Sequence, residues 1–379
     1  LKTAILYGAD AVFLGGEAYG LRSRAGNFDF AEMKEAVDFA HAHNAKVYIA
    51  ANMVTHEGDE KGAGDFFRTV RDIGIDAAII SDMALMDICA SEAPGLPIHL
   101  STQSSAANYE TLNFWKDEGL ERVVLAREVS MDEIREMQEK VDVEIEAFIH
   151  GAMCISYSGR CLLSNFLVGR DANQGACTHP CRWKYSVVEE TRPGEYMPVY
   201  ENERGTYIFN SKDLCMIEHI PELVDAGIDS FKIEGRMKTA LYVATVARTY
   251  RKAIDDYKKD PALYRKNMEW YKEEIGKCTY REFTTGFYFG KPTTDSQIYD
   301  SNTYVKNYTY LGTVEEVRED GCCRIEQKNK FSVGEQIEIM KPDGRNVLVT
   351  VKGITDEDGN AMESAPHPKQ VLWVDLGSE

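Results

Sequence analysis

Short apolar runs recur along the first two thirds of the chain, at Ala11 to Gly15, Lys46 to Asn52, Ala77 to Ser81, Pro97 to Gln103, Arg122 to Arg127, Asp142 to His150 and Ser230 to Glu234. Each has the length of a strand. Between them, apolar residues return with helical period at Phe30 to His43, Gly64 to Ile73, Met83 to Ala90, Tyr109 to Glu118 and Met131 to Val141, several opened by a capping Asp, Ser or Asn. Strand and helix in alternation predict β-α units around a parallel sheet. Seven strands are visible, and one more ahead of Leu1 completes an eight-stranded (β/α)8 TIM-like barrel. An open dinucleotide-binding sheet has less support, because no G-x-G-x-x-G follows a strand.

After His150 the alternation stops. A cysteine-rich insertion, residues 154 to 212, precedes the last barrel strand, and the barrel with its insertion is expected over residues 1 to 260. The helical pattern from Thr239 to Lys259 runs into a helical and extended connector over residues 261 to 302. From Tyr304 the pattern becomes that of short strands, such as Leu311 to Val317, Cys323 to Gln327, Glu335 to Met340 and Asn346 to Val351. Turn signals at Pro342-Asp343-Gly344 and Asp358-Gly359-Asn360 separate them, which predicts a small C-terminal all-β barrel over residues 303 to 379.

The 379 residues, 44% of them hydrophobic, suffice for a large core plus one further module. No run of about 18 apolar residues is present to span a bilayer, and the expected setting is the cytoplasm. The chain begins at Leu1 inside what reads as a helix, so part of the protein is expected to precede it. A net charge of −19 excludes a broad nucleic-acid coat and leaves only local basic patches for such contact. Candidates are Arg22 with Arg24, then Arg160, Arg170, Arg182 and Lys184, then Lys232, Arg236 and Lys238.

In a barrel the chemistry sits at the carboxyl ends of the strands. The polar residues there are Glu17, Asn52, Asp82, Gln103, Arg127 with Glu128, His150, and Glu234 with Arg236. Glu146, His150 and Glu234 are the candidate catalytic groups; Arg22, Arg24, Asn52, Gln103, Arg127 and Arg236 are the candidates for holding a substrate. Of nine cysteines, five fall close together in sequence: Cys154, Cys161, Cys177, Cys181 and Cys215. Thiolates in such number point to an iron-sulfur cluster or zinc. Cys177 and Cys181 have the short gap of a zinc pair, whereas Cys154 and Cys161 are wider apart. Cys89, Cys278, Cys322 and Cys323 read as unligated thiols. A cysteine peptidase using Cys154 with His150 as its base is also conceivable, although neither H-E-x-x-H nor G-x-S-x-G occurs.

The stretch from Glu146 to Ser164 resembles the signature of the collagenase-like peptidase family U32. Glu146, Phe148, Gly151, Ala152, Met153, Cys154, Gly159, Cys161, Leu163 and Ser164 fall as that pattern requires. The resemblance extends through Tyr19-Gly20-Leu21-Arg22, Asn27-Phe28, Ser101-Thr102-Gln103, Asn173 to Trp183, Lys232 to Arg236 and Phe283 to Gly290, and the C-terminal β module is similar to that of the tRNA hydroxylation branch. It implies an oxygen-independent RNA hydroxylase that forms 5-hydroxyuridine at the wobble position of tRNA with a prephenate-like oxygen donor. It further implies a 4Fe-4S cluster on Cys154, Cys161, Cys177 or Cys181, and Cys215, and a paralogous U32 subunit as a candidate partner. The alternatives are a collagenase-like peptidase and a noncatalytic RNA- or protein-binding module braced by zinc. A two-carboxylate donor wants Arg forks, and an unstacked base wants aromatic surfaces beside cations, as Tyr157, Phe166, Trp183 and Tyr185 stand among Arg160, Arg170, Arg182 and Lys184.

Overall fold

The computed structural model describes residues 1–21, 26–154, 156–183, 186–188, 196–198, 211–236, 238–292, 296, 305 and 307–377. Its strands form where the apolar runs lie: β1 (Ala11–Leu14), β2 (Lys46–Ala51), β3 (Ala77–Ile80), β4 (Ile98–Leu100), β5 (Arg122–Val124) and β6 (Glu144–Ala152). A hairpin of β7 (Ser186–Val188) and β8 (Tyr196–Pro198) follows, then β9 (Asp213–Cys215), β10 (Ser230–Ile233) and β11 (Phe283–Thr284). β1 to β6 pair in chain order, each parallel to the next, and β10 pairs parallel with β6. This is the β-α alternation of a TIM-like barrel. β3 is buried along its whole length and β2 beyond its first residue, as expected for strands covered on both faces.

Two members of the nine-stranded sheet lie outside the alternation. β6 runs two residues past His150 and there pairs antiparallel with β9, which in turn pairs parallel with β11. No ladder joins β10 to β1 among the described residues; their side chains meet instead, with the Lys232 ammonium 4.8 Å from the centre of the Phe13 ring.

Around the sheet stand α1 (Lys2–Leu6), α2 (Phe30–Ala42), α3 (Ala63–Ile73), α4 (Met83–Glu92), α5 (Tyr109–Asp117) and α6 (Met131–Lys140). Their starts are set by the capping residues that the sequence offers. Asp29 with Glu32 and Ser130 with Glu133 form reciprocal capping boxes, and Asp82 and Asn108 cap α4 and α5. The insertion carries α7 (Leu163–Val168); α8 (Ile220–Asp225) and α9 (Ala240–Lys259) complete the barrel layer, followed by α10 (Pro261–Lys266) and α11 (Met268–Ile275). α9 is tied to the sheet by Tyr250, whose hydroxyl donates to the Ile149 carbonyl at 3.0 Å and accepts from Met216 N at 3.0 Å.

The chain divides into two compact units, residues 1–272 with 280–305, and residues 273–279 with 306–379. The stretch expected as a connector is thus shared between them, and β11 belongs to the barrel sheet. In the second unit a five-stranded sheet runs Gly312–Val317, Cys322–Gln327, Val371–Asp375, Gly353–Thr355, Ala361–Met362. Two short ladders, Phe331–Ser332 with Ser364–Ala365 and Gln336–Met340 with Asn346–Thr350, accompany it. Its core is Ile325, Phe331, Val351, Ile354, Leu372 and Val374, with Cys323 among them. The first strand lies at the sheet edge, with a bulge between Val314 and Glu316.

Candidate functional site

The barrel interior is charged. Glu146 on β6 is 3% exposed, and its carboxylate accepts from Lys232 Nζ at 2.5 Å, Ser230 Oγ at 2.7 Å and Arg122 Nη1 at 3.4 Å. Register explains the convergence, because Glu146 is level with Ser230 on β10 and with Val124 on β5, one pleat from Arg122. Arg122 also bonds Glu144 Oε2, at 2.6 and 2.8 Å, and Tyr48 Oη at 3.3 Å. Burial opposes the charge on Glu146, yet the neighbouring Lys232, Ser230 and Arg122 hold its carboxyl below the ordinary range. It is therefore an ion without a proton to give.

Above this network lies a cavity at the carboxyl ends of the strands. Phe13, Ala50, Ile79, Val124, Phe148 and Lys232 come from the strands, and Leu21, Asn52, Ser101, Thr102, Gln103, Arg127, Glu234 and Arg236 from the residues that follow them. Five of the residues nominated from sequence, Asn52, Gln103, Arg127, Glu234 and Arg236, thus share one cavity. Arg22 and Arg24 lie outside the described residues. Among the described residues three cations and one carboxylate line the cavity of a protein with a net charge of −19, so the mouth opposes the charge of the whole. The Arg127 guanidinium lies 3.9 Å from the centre of the Phe148 ring. Arg236 packs on Gly15, where a side chain would occupy its guanidinium, and bonds Asn27 Oδ1. Asn52 accepts from Leu21 N at 3.2 Å and so holds the loop after β1.

The start of the insertion is fastened to this rim. Ser158 donates from its backbone N to Glu128 Oε1 at 3.0 Å, and Val54 N donates to Asn173 O at 3.1 Å. Gly159 takes φ +72°, and a Cβ there would lie 2.0 Å from the Gln103 carbonyl oxygen. Only glycine tolerates both the left-handed backbone and the contact. Beyond this anchor Tyr157, Phe166 and Trp183 stand 70%, 86% and 46% exposed, with Arg160 also exposed and Arg170 half-buried. Lys184 and Tyr185 are outside the described residues.

His150 is not at the mouth. It is 1% exposed, among the rings of Tyr242, Tyr250 and Phe283 with centroids 5.9, 5.5 and 5.7 Å away. Its Nδ1 is 3.4 Å from Tyr250 Oη, and its Nε2 is buried without a partner. Burial, with Lys238 adding to it, pushes its pKa down to about 3. No hydrogen bond links it to Cys154, which is exposed, so the arrangement is not that of an imidazole base beside a thiol nucleophile.

Cys215, paired with His150 across the ladder, has its Sγ 3.8 Å from Tyr250 Oη, and burial pushes its thiol up to about 11. Cys161, Cys177 and Cys181 are half-buried in the insertion; Cys177 Sγ accepts from His179 N at 3.4 Å. Among the described residues no three His, Cys, Asp or Glu side chains are grouped so as to hold a metal ion. The thiols are suitable donors, but this arrangement of them does not form a ligand sphere. Cys89 and Cys278 are buried as expected, the first with its thiol pushed up to about 12 by desolvation. Cys323 is likewise buried, whereas Cys322 is half-buried.

A TIM-like barrel with a cation-lined mouth and a cysteine-rich insertion seated on it is the architecture that these residues define. Residues 1–298 match the family described as peptidase family U32, residues 306–379 match the peptidase family U32 C-terminal domain, and the chain belongs to this family. It is 44% identical to "tRNA hydroxylation protein P1" of Bacillus subtilis over 99% of this chain and 89% of that protein. It is 37% identical to "tRNA hydroxylation protein P" of Escherichia coli over 99% of this chain and 90% of that one. To "23S rRNA 5-hydroxycytidine C2501 synthase" of Escherichia coli it is 36% identical over 67% of this chain and 37% of that protein.

Gly159→Ala is expected to strain the backbone by about 1–3 kcal/mol and to lift the insertion from the Gln103 loop. Hydrogen exchange should then show faster exchange over residues 156–183 and an unchanged barrel. The imidazoles give a second expectation. His150, and His99 at about 4, both have folded pKa values below the ordinary 6.5, so the unfolded chain binds the extra protons. Their contribution to stability is whole above about pH 6.5 and falls as the pH drops towards 4 and then 3. Urea midpoints measured from pH 7 to 4.5 should decline, and His150→Phe should flatten that decline by up to about one proton's worth of slope.

Proposed function

We propose that this protein is an RNA-modifying hydroxylase, and specifically one that forms 5-hydroxyuridine at the wobble position of tRNA. The observation that carries the reading is similarity along 99% of the chain to proteins named for tRNA hydroxylation. The rRNA 5-hydroxycytidine synthase adds a second relative whose named product is a hydroxylated pyrimidine. Two features of the structure support it physically. Tyr157, Phe166 and Trp183 of the insertion are exposed instead of packed into a core, as residues that stack on unpaired bases must be. The cation-lined mouth suits a small anionic donor, which the prephenate-like oxygen source of this reading would be.

In this reading Arg127 and Arg236, together with Arg22 and Arg24, orient the donor. Asn52 and Gln103 shape the wall around it, and Glu234 is the carboxylate that lines the same cavity. A 4Fe-4S cluster on four of Cys154, Cys161, Cys177, Cys181 and Cys215 belongs to the same proposal and would supply redox chemistry. Because the described arrangement does not gather these thiols, no step is assigned to it. A cytoplasmic setting and a paralogous U32 partner are likewise proposed; no helix among the described residues is long and apolar enough to cross a membrane. A peptidase built on Cys154 with His150 as its base finds no support in the geometry, since that imidazole is enclosed by Tyr242, Tyr250 and Phe283.

Deletion of the gene from its host should remove 5-hydroxyuridine from tRNA hydrolysates analysed by mass spectrometry, and the wild-type gene should restore it. Unchanged nucleoside content would count against the hydroxylase. Protein purified without oxygen should carry iron and sulfide with broad visible absorption, and Cys154→Ala should lose both. Zinc in stoichiometric amount and no colour would replace the cluster with a structural metal.

A further inference from the structure

Lys232 differs from the other cations of the mouth. Arg127 and Arg236 follow their strands, whereas Lys232 lies on β10 itself, level with Phe148 on β6. Its stem passes the rings of Phe13 and Phe148, with the ammonium 4.8 and 5.6 Å from their centres, and its side chain is only 10% exposed. An ammonium has three N–H donors. One goes to Glu146 Oε1 at 2.5 Å, and the residue also lines the cavity. With its charge countered by Glu146 below and N–H donors left over at the edge of the cavity, this nine-tenths-buried ammonium is placed to take a further anionic acceptor from above.

Glu146 itself does not line the cavity. It is enclosed by Lys232, Ser230 and Arg122, a setting for a fixed counter-charge and not for a group that exchanges protons with a ligand. We propose that Lys232 is a carboxylate-binding residue of the mouth and that Glu146 is the positioning residue that holds its ammonium in place. The ligand class follows from the walls: a compact organic acid whose carboxylate meets Lys232, whose apolar face lies on Phe148 and Phe13, and whose polar substituents meet Ser101 and Gln103. This rests on the reading of the mouth as the donor site and extends it to two residues beneath the arginines.

The test uses the full chain, titrated calorimetrically with prephenate, phenylpyruvate and citrate. Lys232→Met should weaken binding of the carboxylate by about 10–100-fold. Because a lone buried Glu146 could unfold the protein, the double variant Glu146→Gln with Lys232→Met removes both charges together, a change that buried pairs commonly tolerate. It should melt cooperatively near the wild-type temperature and still fail to bind. Glu146→Gln alone should weaken donor binding about tenfold while the maximal rate of tRNA modification at saturating donor holds within about twofold. An acid or base in catalysis would instead lower that rate by about 10²–10⁴-fold.

A folded double variant that binds like wild type, a loss of maximal rate without loss of affinity in Glu146→Gln, or wild-type protein that binds none of the three acids overturns the proposal. Lys232-dependent binding of phenylpyruvate or citrate but not prephenate would keep the carboxylate site and remove the prephenate-like donor. Lys232-dependent prephenate binding with tRNA nucleosides unchanged by gene deletion would keep the site and remove the hydroxylase.

Discussion

A carboxylate buried inside a β-barrel is the constraint around which the first unit is built. Removing Glu146 from water carries a desolvation cost of several kcal/mol, which a single ion pair does not reliably repay. Here three donors from two neighbouring strands, Ser230, Lys232 and Arg122, surround it. Arg122 is in turn divided between Glu144, Glu146 and the Tyr48 hydroxyl. Such a network is satisfied only in one register of β5, β6 and β10, because a slip by one residue would turn every one of these side chains to the opposite face. The alignment of the strands and the electrostatics at the base of the mouth are therefore one property.

From that base the mouth is assembled by contacts that tolerate little change. Arg236 lies against Gly15, and Gly159 lies against the Gln103 carbonyl, so the loops after β1 and β4 are close-packed with residues 200 or more positions away or in the insertion. Acidic groups dominate the chain as a whole, while cations dominate the cavity lining, which concentrates field at the place where a small anion would enter.

Much of this organisation is legible in the sequence. The runs that became β1 to β5 and β10 begin within a residue of where they were read, because apolar pattern and caps such as Asp29 and Ser130 act locally. Asn52, Gln103, Arg127, Glu234 and Arg236 were recognisable since residues following barrel strands meet at one end. β9 and β11 were not, being three and two residues long and defined only by their partners. The position of His150 is not legible for a related reason: the register of β6 against β10 shifts between Phe148 and His150, opposite Lys232 and Ile233, and the strand runs on to pair with β9, so the ring lies against Tyr242 and Tyr250 and not in the mouth. The partnership of Glu146 with Lys232 spans 86 positions and has no local signature. The sulfur residues are less legible: Cys161, Cys177 and Cys181 lie in the insertion and Cys215 on β9 beside Tyr250, and among the described residues no three such side chains are grouped.

The C-terminal sheet ends in a strand, Gly312–Val317, that is exposed over nearly its whole length. An open edge of this kind presents unpaired amides and carbonyls to any other extended chain. The bulge at Val314 and Glu316 breaks the regular spacing of those groups, and Glu315 and Glu316 place charge beside the exposed Val314 and Val317. Irregular spacing and the charge at Glu316 make the edge a poor template for intermolecular pairing, while Glu315 is engaged by Arg324 of the neighbouring strand, so the same edge that the fold leaves open is blunted by its own side chains.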